Sequence, residues 1–263
     1  MQGPEIAQGT QAQLAVTGLD LSFYGVQVLR GVELSVQAGS LTGLIGPNGA
    51  GKSTLFNAIS GLYKPNHGSV QLGGRDVTAL SPDKLVAAGL VRSFQLARGF
   101  PKLSVFQHLM LYGAQQPGEH LLAALIGTRP AREREQMLAE RAFDIAGRLK
   151  LTHVLDNPVT ALSGGQKKLV EIGRALMAEP KILLLDEPMA GVNPSLTEEI
   201  AEHLVGLNRD GLTICLIEHD MALIKRLCHP VIVMAEGKVL TQGTFAQVAA
   251  DTRVQEAYLG RRH

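Results

Sequence analysis

The stretch "LTGLIGPNGAGKSTLFNAISG", residues 41–61, constrains the fold more tightly than any other part of the chain. An apolar run of strand length enters a loop holding Gly46, Gly49 and Gly51, after which Leu55, Ile59 and Leu62 recur at helical spacing. The unit is therefore strand, glycine loop, helix. Inside it, "GPNGAGKS" at residues 46–53 fits the pattern G-x-x-x-x-G-K-[ST]. Glycines let successive backbone N–H groups turn inward around a polyphosphate, and the helix start aims a partial positive charge of about +0.5 e at the same place. Gly46, Pro47, Asn48, Gly49, Ala50, Gly51 and Thr54 make up the candidate cradle. Lys52 brings a mobile full charge to the outer phosphates, and the Ser53 hydroxyl is a candidate Mg²⁺ ligand.

The surrounding chain has three characters. Before residue 75, "LAVTGLDLSF", "GVELSV" and "GSVQLGG" read as short strands punctuated by glycine. From about 97 to 165, "VFQHLMLYG", "GEHLLAALIG" and "REREQMLAERAFDIAGRLKL" carry helical periodicity and suggest an inserted helical lobe. The charge run at residues 132–135 reads as a solvated helix face. Beyond 163, helix-like and strand-like pieces alternate through "KILLLDEP" and "LTICLIEHD", which implies parallel strands covered by helices. "VIVMAEGKVLTQG" reads as a hairpin around Glu236 and Gly237, and "FAQVAADTRVQEAYLG" as a closing helical segment. Residues 1–12 are polar and are expected to form a frayed tail, with the folded domain spanning 13–263.

Composition narrows the partners. Lys and Arg total 25 against 24 for Asp and Glu, without the basic excess that marks a nucleic-acid groove, so no nucleic-acid partner is expected. The apolar runs "LLAALI" and "KILLL" fall far short of the roughly 20 residues that span a bilayer. Cys215 and Cys228 are too few for a disulfide framework, which fits a reducing compartment.

Two further motifs carry chemistry. "KILLLDEP" ends an apolar run on adjacent carboxylates, and because successive strand residues face opposite ways, Asp186 and Glu187 can take separate tasks. Asp186 is assigned to the Mg²⁺ shell and Glu187 to polarising an attacking water. In "LSGGQKKLVEIGRAL", Ser163 followed by Gly164 and Gly165 heads a helix and makes a second anion-seeking terminus, although Ser is also a favoured ordinary cap. One nucleotide has one terminal phosphate, so a second such helix start implies a nucleotide held by another subunit.

With these motifs in hand, the chain resembles the ATP-binding subunits of ABC transporters, whose signature is "LSGGQ", from about Leu14 to its end. The resemblance implies an α/β fold: a P-loop nucleotide-binding domain with a mainly parallel core sheet, an N-terminal antiparallel β-subdomain and an inserted α-helical subdomain. It implies ATP and Mg²⁺ as ligands. Tyr24 in "LSFYGVQVL" matches the aromatic on which adenine stacks, Gln95 in "VRSFQ" the glutamine that touches Mg²⁺ and opens the helical lobe, and His219 in "LIEHD" the switch histidine at the terminal phosphate. Ser163, Gly164, Gly165 and Gln166 would complete the site of a facing subunit. The implied partners are membrane permease subunits, a second ATP-binding subunit and, indirectly, a substrate-binding protein, with the chain peripheral on the cytoplasmic face of the inner membrane.

"DEPMAGVNP", "LIEHDMALI" and the ending "AYLG" look like the importers of branched-chain, hydrophobic amino acids. A urea or amide importer, a lipopolysaccharide-export ATPase and a soluble ABC ATPase stand as alternatives. The chain departs from many family members at Asn193, where the wider pattern SALD has an aspartate; an Asn keeps hydrogen-bonding geometry but removes the charge.

Overall fold

The computed structural model of the chain describes residues 12–93, 100–114 and 129–259. Gln95, and the helical reading of "GEHLLAALIG", lie outside the described residues, as does the expected tail apart from Ala12.

Two sheets form the frame. Strands β1 (Ala12–Phe23) and β2 (Val26–Gln37) make a long antiparallel hairpin, extended by β4 (His67–Leu72) and β5 (Arg75–Asp76) in the order β2-β1-β4-β5. The second sheet runs β10-β9-β3-β8-β7-β6, from β3 (Leu41–Ile45), β6 (Leu90–Arg92), β7 (Ile182–Asp186), β8 (Thr213–Ile217), β9 (Val231–Ala235) and β10 (Lys238–Gly243). Its pairs are parallel except β9 with β10, which close the hairpin expected at Glu236 and Gly237.

The parallel strands read as unbroken apolar runs because both faces are covered. Their period of two still sorts the side chains. Leu183 and Leu185 of β7, Ile214 and Leu216 of β8, and Val231 and Val233 of β9 enter one core. Ile182 and Leu184, Cys215 and Ile217, and Ile232 and Met234 enter the other.

The second core is closed by the antiparallel sheet and by helix α1 (Lys52–Ile59), through Leu55, Phe56 and Ile59. The first is closed by α3 (Val105–Leu111), α4 (Arg129–Arg148), α5 (Gly164–Met177) and α6 (Pro194–Arg209), with α7 (Met221–Leu227), α8 (Phe245–Ala250) and α9 (Thr252–Leu259) toward the β9 side. Helix α2 (Pro82–Ala88) leads into β6, with Pro82 at its first turn, where the missing N–H costs nothing.

Both cysteines are free and buried, Cys215 between the strands and Cys228 after α7. Burial pushes the Cys215 thiol up to about 12 and raises that of Cys228 as well. A thiol-specific reagent at pH 8 is therefore expected to label neither residue in the native protein and both after denaturation. Rapid native labelling of either would contradict this burial.

Candidate nucleotide-binding and catalytic site

The phosphate loop leaves the end of β3 and is pinned from behind. Gly46 has φ 152°, and a Cβ there would lie 2.1 Å from the carbonyl oxygen of Met234 in β9. Gly51 has φ 97° and caps α1, with a Cβ position 3.1 Å from Leu29 of β2. The β9–β10 turn buttresses the loop, as Gly237 N–H donates to the Ala50 carbonyl at 3.1 Å and accepts at its own carbonyl from Arg30 N–H at 2.9 Å. These approaches explain why glycine occupies positions 46 and 51: at each, the backbone conformation and a neighbouring strand exclude a side chain.

Lys52 is buried at the start of α1, with Nζ donating to the carbonyls of Gly46 at 2.8 Å and Pro47 at 3.1 Å. Burial lowers its pKa, while the nearby carboxylates of Glu187 and Asp186 pull it back up. The ammonium thus sits over the loop, within the field of both acids.

Strand β7 ends on Asp186 and passes Glu187 to the turn that follows. Asp186 shares the parity of Leu184 and faces α1, where Ser53 Oγ donates to Asp186 Oδ1 at 3.4 Å. Glu187 follows the strand with φ 50°, a conformation that costs a non-glycine residue of order 1–3 kcal/mol and is less favoured still before Pro188. Its Oε1 lies 2.6 Å from Nε2 of His219, which follows the end of β8. A carboxylate and an imidazole so joined can hold a water and receive its proton.

The oxygen donors of Ser53 and Asp186 fit Mg²⁺, which takes hard ligands and is usually bound through one or two carboxylates together with substrate phosphates. Among the described residues no cluster of three or more His, Cys, Asp or Glu forms a dedicated metal cage, in keeping with that mode.

Tyr24 and Ser163 stand apart from this cluster. Tyr24, at the tip of the β1–β2 hairpin, is fully exposed and has φ 49°. Its ring is free to stack on a base, worth about 1–3 kcal/mol in comparable contacts, so Tyr24→Ala is expected to weaken ATP binding by roughly 5- to 150-fold while sparing chemistry. Unchanged affinity by titration of a fluorescent nucleotide would overturn that role.

Ser163 opens α5 with a full capping box: its hydroxyl accepts from Gln166 N–H at 3.2 Å, and Gln166 Oε1 accepts from Ser163 N–H at 2.9 Å. Ser163 and Gly164 are exposed, whereas a Cβ on Gly165 would fall 1.7 Å from Leu196 of α6. Among the described residues no hydrogen bond joins 163–166 to the phosphate loop of the same chain.

Asn193 has a local task. Its side chain accepts from Leu196 N–H at 3.0 Å and caps α6 ahead of Pro194. Asn and Asp serve about equally well as caps, so this helix start needs no charge.

Several neighbours escaped the sequence reading. Arg92, in the quoted "VRSFQ", forks between Asp186 Oδ2 at 2.9 Å and Asn57 Oδ1, holding the acid against α1. Glu218, beside His219, is buried and accepts backbone bonds from two loops. The Tyr258 hydroxyl of α9 is hydrogen-bonded to the backbone of Gly46; burial raises its pKa and that bond opposes the rise. A cleft of about 480 Å³, lined by Ser53, Asn57, Arg92, Lys168, Asp186 and Glu187, opens beside the acids.

A parallel sheet in which the phosphate loop leaves β3 and Asp186 ends β7 belongs to the P-loop nucleotide-binding proteins. The chain belongs to the ABC transporter family, which it matches over residues 29–190, and members of that family hydrolyse ATP to power transport. Residues 238–263 match a second family, described as the branched-chain amino acid ATP-binding cassette transporter. A probable branched-chain amino acid transport ATP-binding protein LivG of Methanocaldococcus jannaschii is 40% identical over 89% of this chain and 92% of its own length. The high-affinity branched-chain amino acid transport ATP-binding protein BraF of Pseudomonas aeruginosa is 35% identical over 94% and 97%. The crystal structure of the ADP conformation of an ABC transporter cassette superposes with a TM-score of 0.83 at 38% identity, covering 96% of this chain and all of that one.

Proposed function

We propose that the chain is the ATP-binding subunit of an importer of branched-chain, hydrophobic amino acids. The observation that carries the cargo class is the match of the C-terminal segment 238–263 to the branched-chain cassette family, joined to relatives of that description along nearly the whole chain.

In this reading two cassettes close head to tail over two ATP molecules. Tyr24 stacks on adenine and the N–H groups of the loop and Lys52 hold the phosphates, while Ser53, Asp186 and Gln95 would hold Mg²⁺, which would neutralise charge on the outer phosphates. Glu187 orients and deprotonates the attacking water, and His219 holds Glu187 and the terminal phosphate in line. Ser163, Gly164, Gly165 and Gln166 of the facing cassette supply the second anion site, a role supported by the exposure of Ser163 and Gly164 at a capped helix start. Closure then moves the helices around α3 and α4 and, through them, the permease subunits. ATP drives the change because it binds the closed pair far better than the open one.

No helix among the described residues is long and apolar enough to cross a membrane. As the ATP-binding subunit of a transporter, the chain would sit peripherally on permease subunits at the cytoplasmic face of the inner membrane. Purification of the intact assembly from membranes tests the reading. Two permease subunits, a second ATP-binding subunit and leucine-, isoleucine- or valine-stimulated turnover with a binding protein are expected. Stimulation by urea or short amides alone, or a wholly soluble ribosome-bound pool, would overturn it.

A further inference from the structure

The strain at Glu187 has an identifiable counterweight. Glu187 sits at φ 50° directly before Pro188, so its own backbone does not favour the conformation that aims its carboxylate at His219. Three kinds of bond hold the turn. Glu187 N–H donates to the Ile217 carbonyl at 3.0 Å, and Ala190 N–H donates to the Glu187 carbonyl at 3.1 Å. The third comes from a side chain: Met189 N–H donates to Oε1 of Glu218 at 2.9 Å. The other oxygen of the same carboxylate, Oε2, accepts from His219 N–H at 3.3 Å.

Glu218 is 6% exposed, so removing it would leave two N–H groups of the site without that acceptor in a place where water replaces it poorly. Both oxygens face donors, which is how an acceptor-only carboxylate is satisfied. Burial raises its pKa, and the Met189 and His219 bonds oppose that rise.

We propose that Glu218 is a positioning residue for ATP hydrolysis: one buried carboxylate bridges the turn after Glu187 to the backbone of His219 and so fixes the 2.6 Å pair that aligns the base Glu187 with the attacking water. The proposal rests on the roles given above to Glu187 and His219. A spacing error of an ångström between reacting groups can cost two orders of magnitude in rate, so loosening this bridge is felt in catalysis before it is felt in binding.

The test is Glu218→Gln in the full chain, purified in its own assembly. Gln matches Glu in volume but turns one acceptor into an NH₂ donor, so only one of the two joints survives. The expected result is a kcat at least about 10-fold lower, with the KM for ATP and the nucleotide Kd essentially unchanged and the melting midpoint lowered by a few degrees for the lost bond. In a Glu187→Gln background the second substitution is expected to add no further loss, because the two residues act as one unit. If Glu218→Gln does not fold, Glu218→Asp takes its place: it keeps the charge, falls a methylene short of the span, and carries the same expectations. A kcat within twofold of the parent, a parallel fall of kcat and nucleotide affinity, or an additive loss in the Glu187→Gln background would each overturn the proposal. Near-normal turnover of Glu187→Gln alone would instead refute the catalytic assignment on which it stands.

Discussion

Glu187→Gln is expected to bind ATP nearly as well as the parent chain, to lose hydrolysis by at least about 100-fold and to accumulate as a closed dimer. A positioned general base contributes about 10²- to 10⁴-fold, and the amide removes basicity while leaving size and hydrogen-bonding reach to His219 almost intact. Lys52, the loop and Ser53 do not change, so the nucleotide is still gripped. With no hydrolysis to reopen the pair, ATP holds it shut, which sizing chromatography in ATP and Mg²⁺ would read directly. Turnover within a few fold of the parent would remove Glu187 from the catalytic role and shift attention to Asp186 and His219.

Gly46→Ala is expected to damage both the fold and the phosphate loop. The new Cβ would stand 2.1 Å from the carbonyl oxygen of Met234 and 3.1 Å from its carbon, at a φ of 152° that disfavours any side chain. Met234 is wholly buried in β9, so that carbonyl has nowhere to go. Overpacking and backbone strain each typically cost about 1–3 kcal/mol, giving roughly 2–6 kcal/mol together and a loop that cannot close around phosphate. Loss of ATP binding and a lower melting midpoint are expected together. Gly49→Ala makes the internal control, because its Cβ would meet nothing within 4 Å and only the φ of 79° opposes it. Equal behaviour of the two variants, or ATP binding by Gly46→Ala, would show that the close approach to β9 does not govern the loop.

The parts of the fold legible in the sequence were those governed by local rules. The alternation of helix-like pieces with the apolar runs "KILLLDEP" and "LTICLIEHD" marked the parallel strands, whereas the left-handed backbone of Glu187, one residue past the end of β7, is not visible in a strand pattern. The Glu236–Gly237 turn and the Ser163 helix start are likewise short-range signals. Strand β6 was not legible, because three residues are too few to display a period. Arg92 stands 94 positions before Asp186, and nothing in either neighbourhood announces that they meet. Glu218 was hidden for a related reason. Its meaning depends on two loops converging, and in the sequence it is only an acidic residue beside a histidine. Leu196 against Gly165 makes the same point for glycine: the motif names the residue, while the partner that forbids a side chain lies on another helix.

The burial of Cys215 and Cys228 has a practical use in following the motion itself. Thiols that do not react in the folded protein leave a silent background, so a reporter attached at an introduced cysteine gives an uncontaminated signal without first stripping the native ones. Gly164, where a Cβ meets nothing within 4 Å, and exposed Asn48 on the phosphate loop are natural places for such probes. A distance between them that shortens across two chains on adding ATP would record the head-to-tail encounter as it happens.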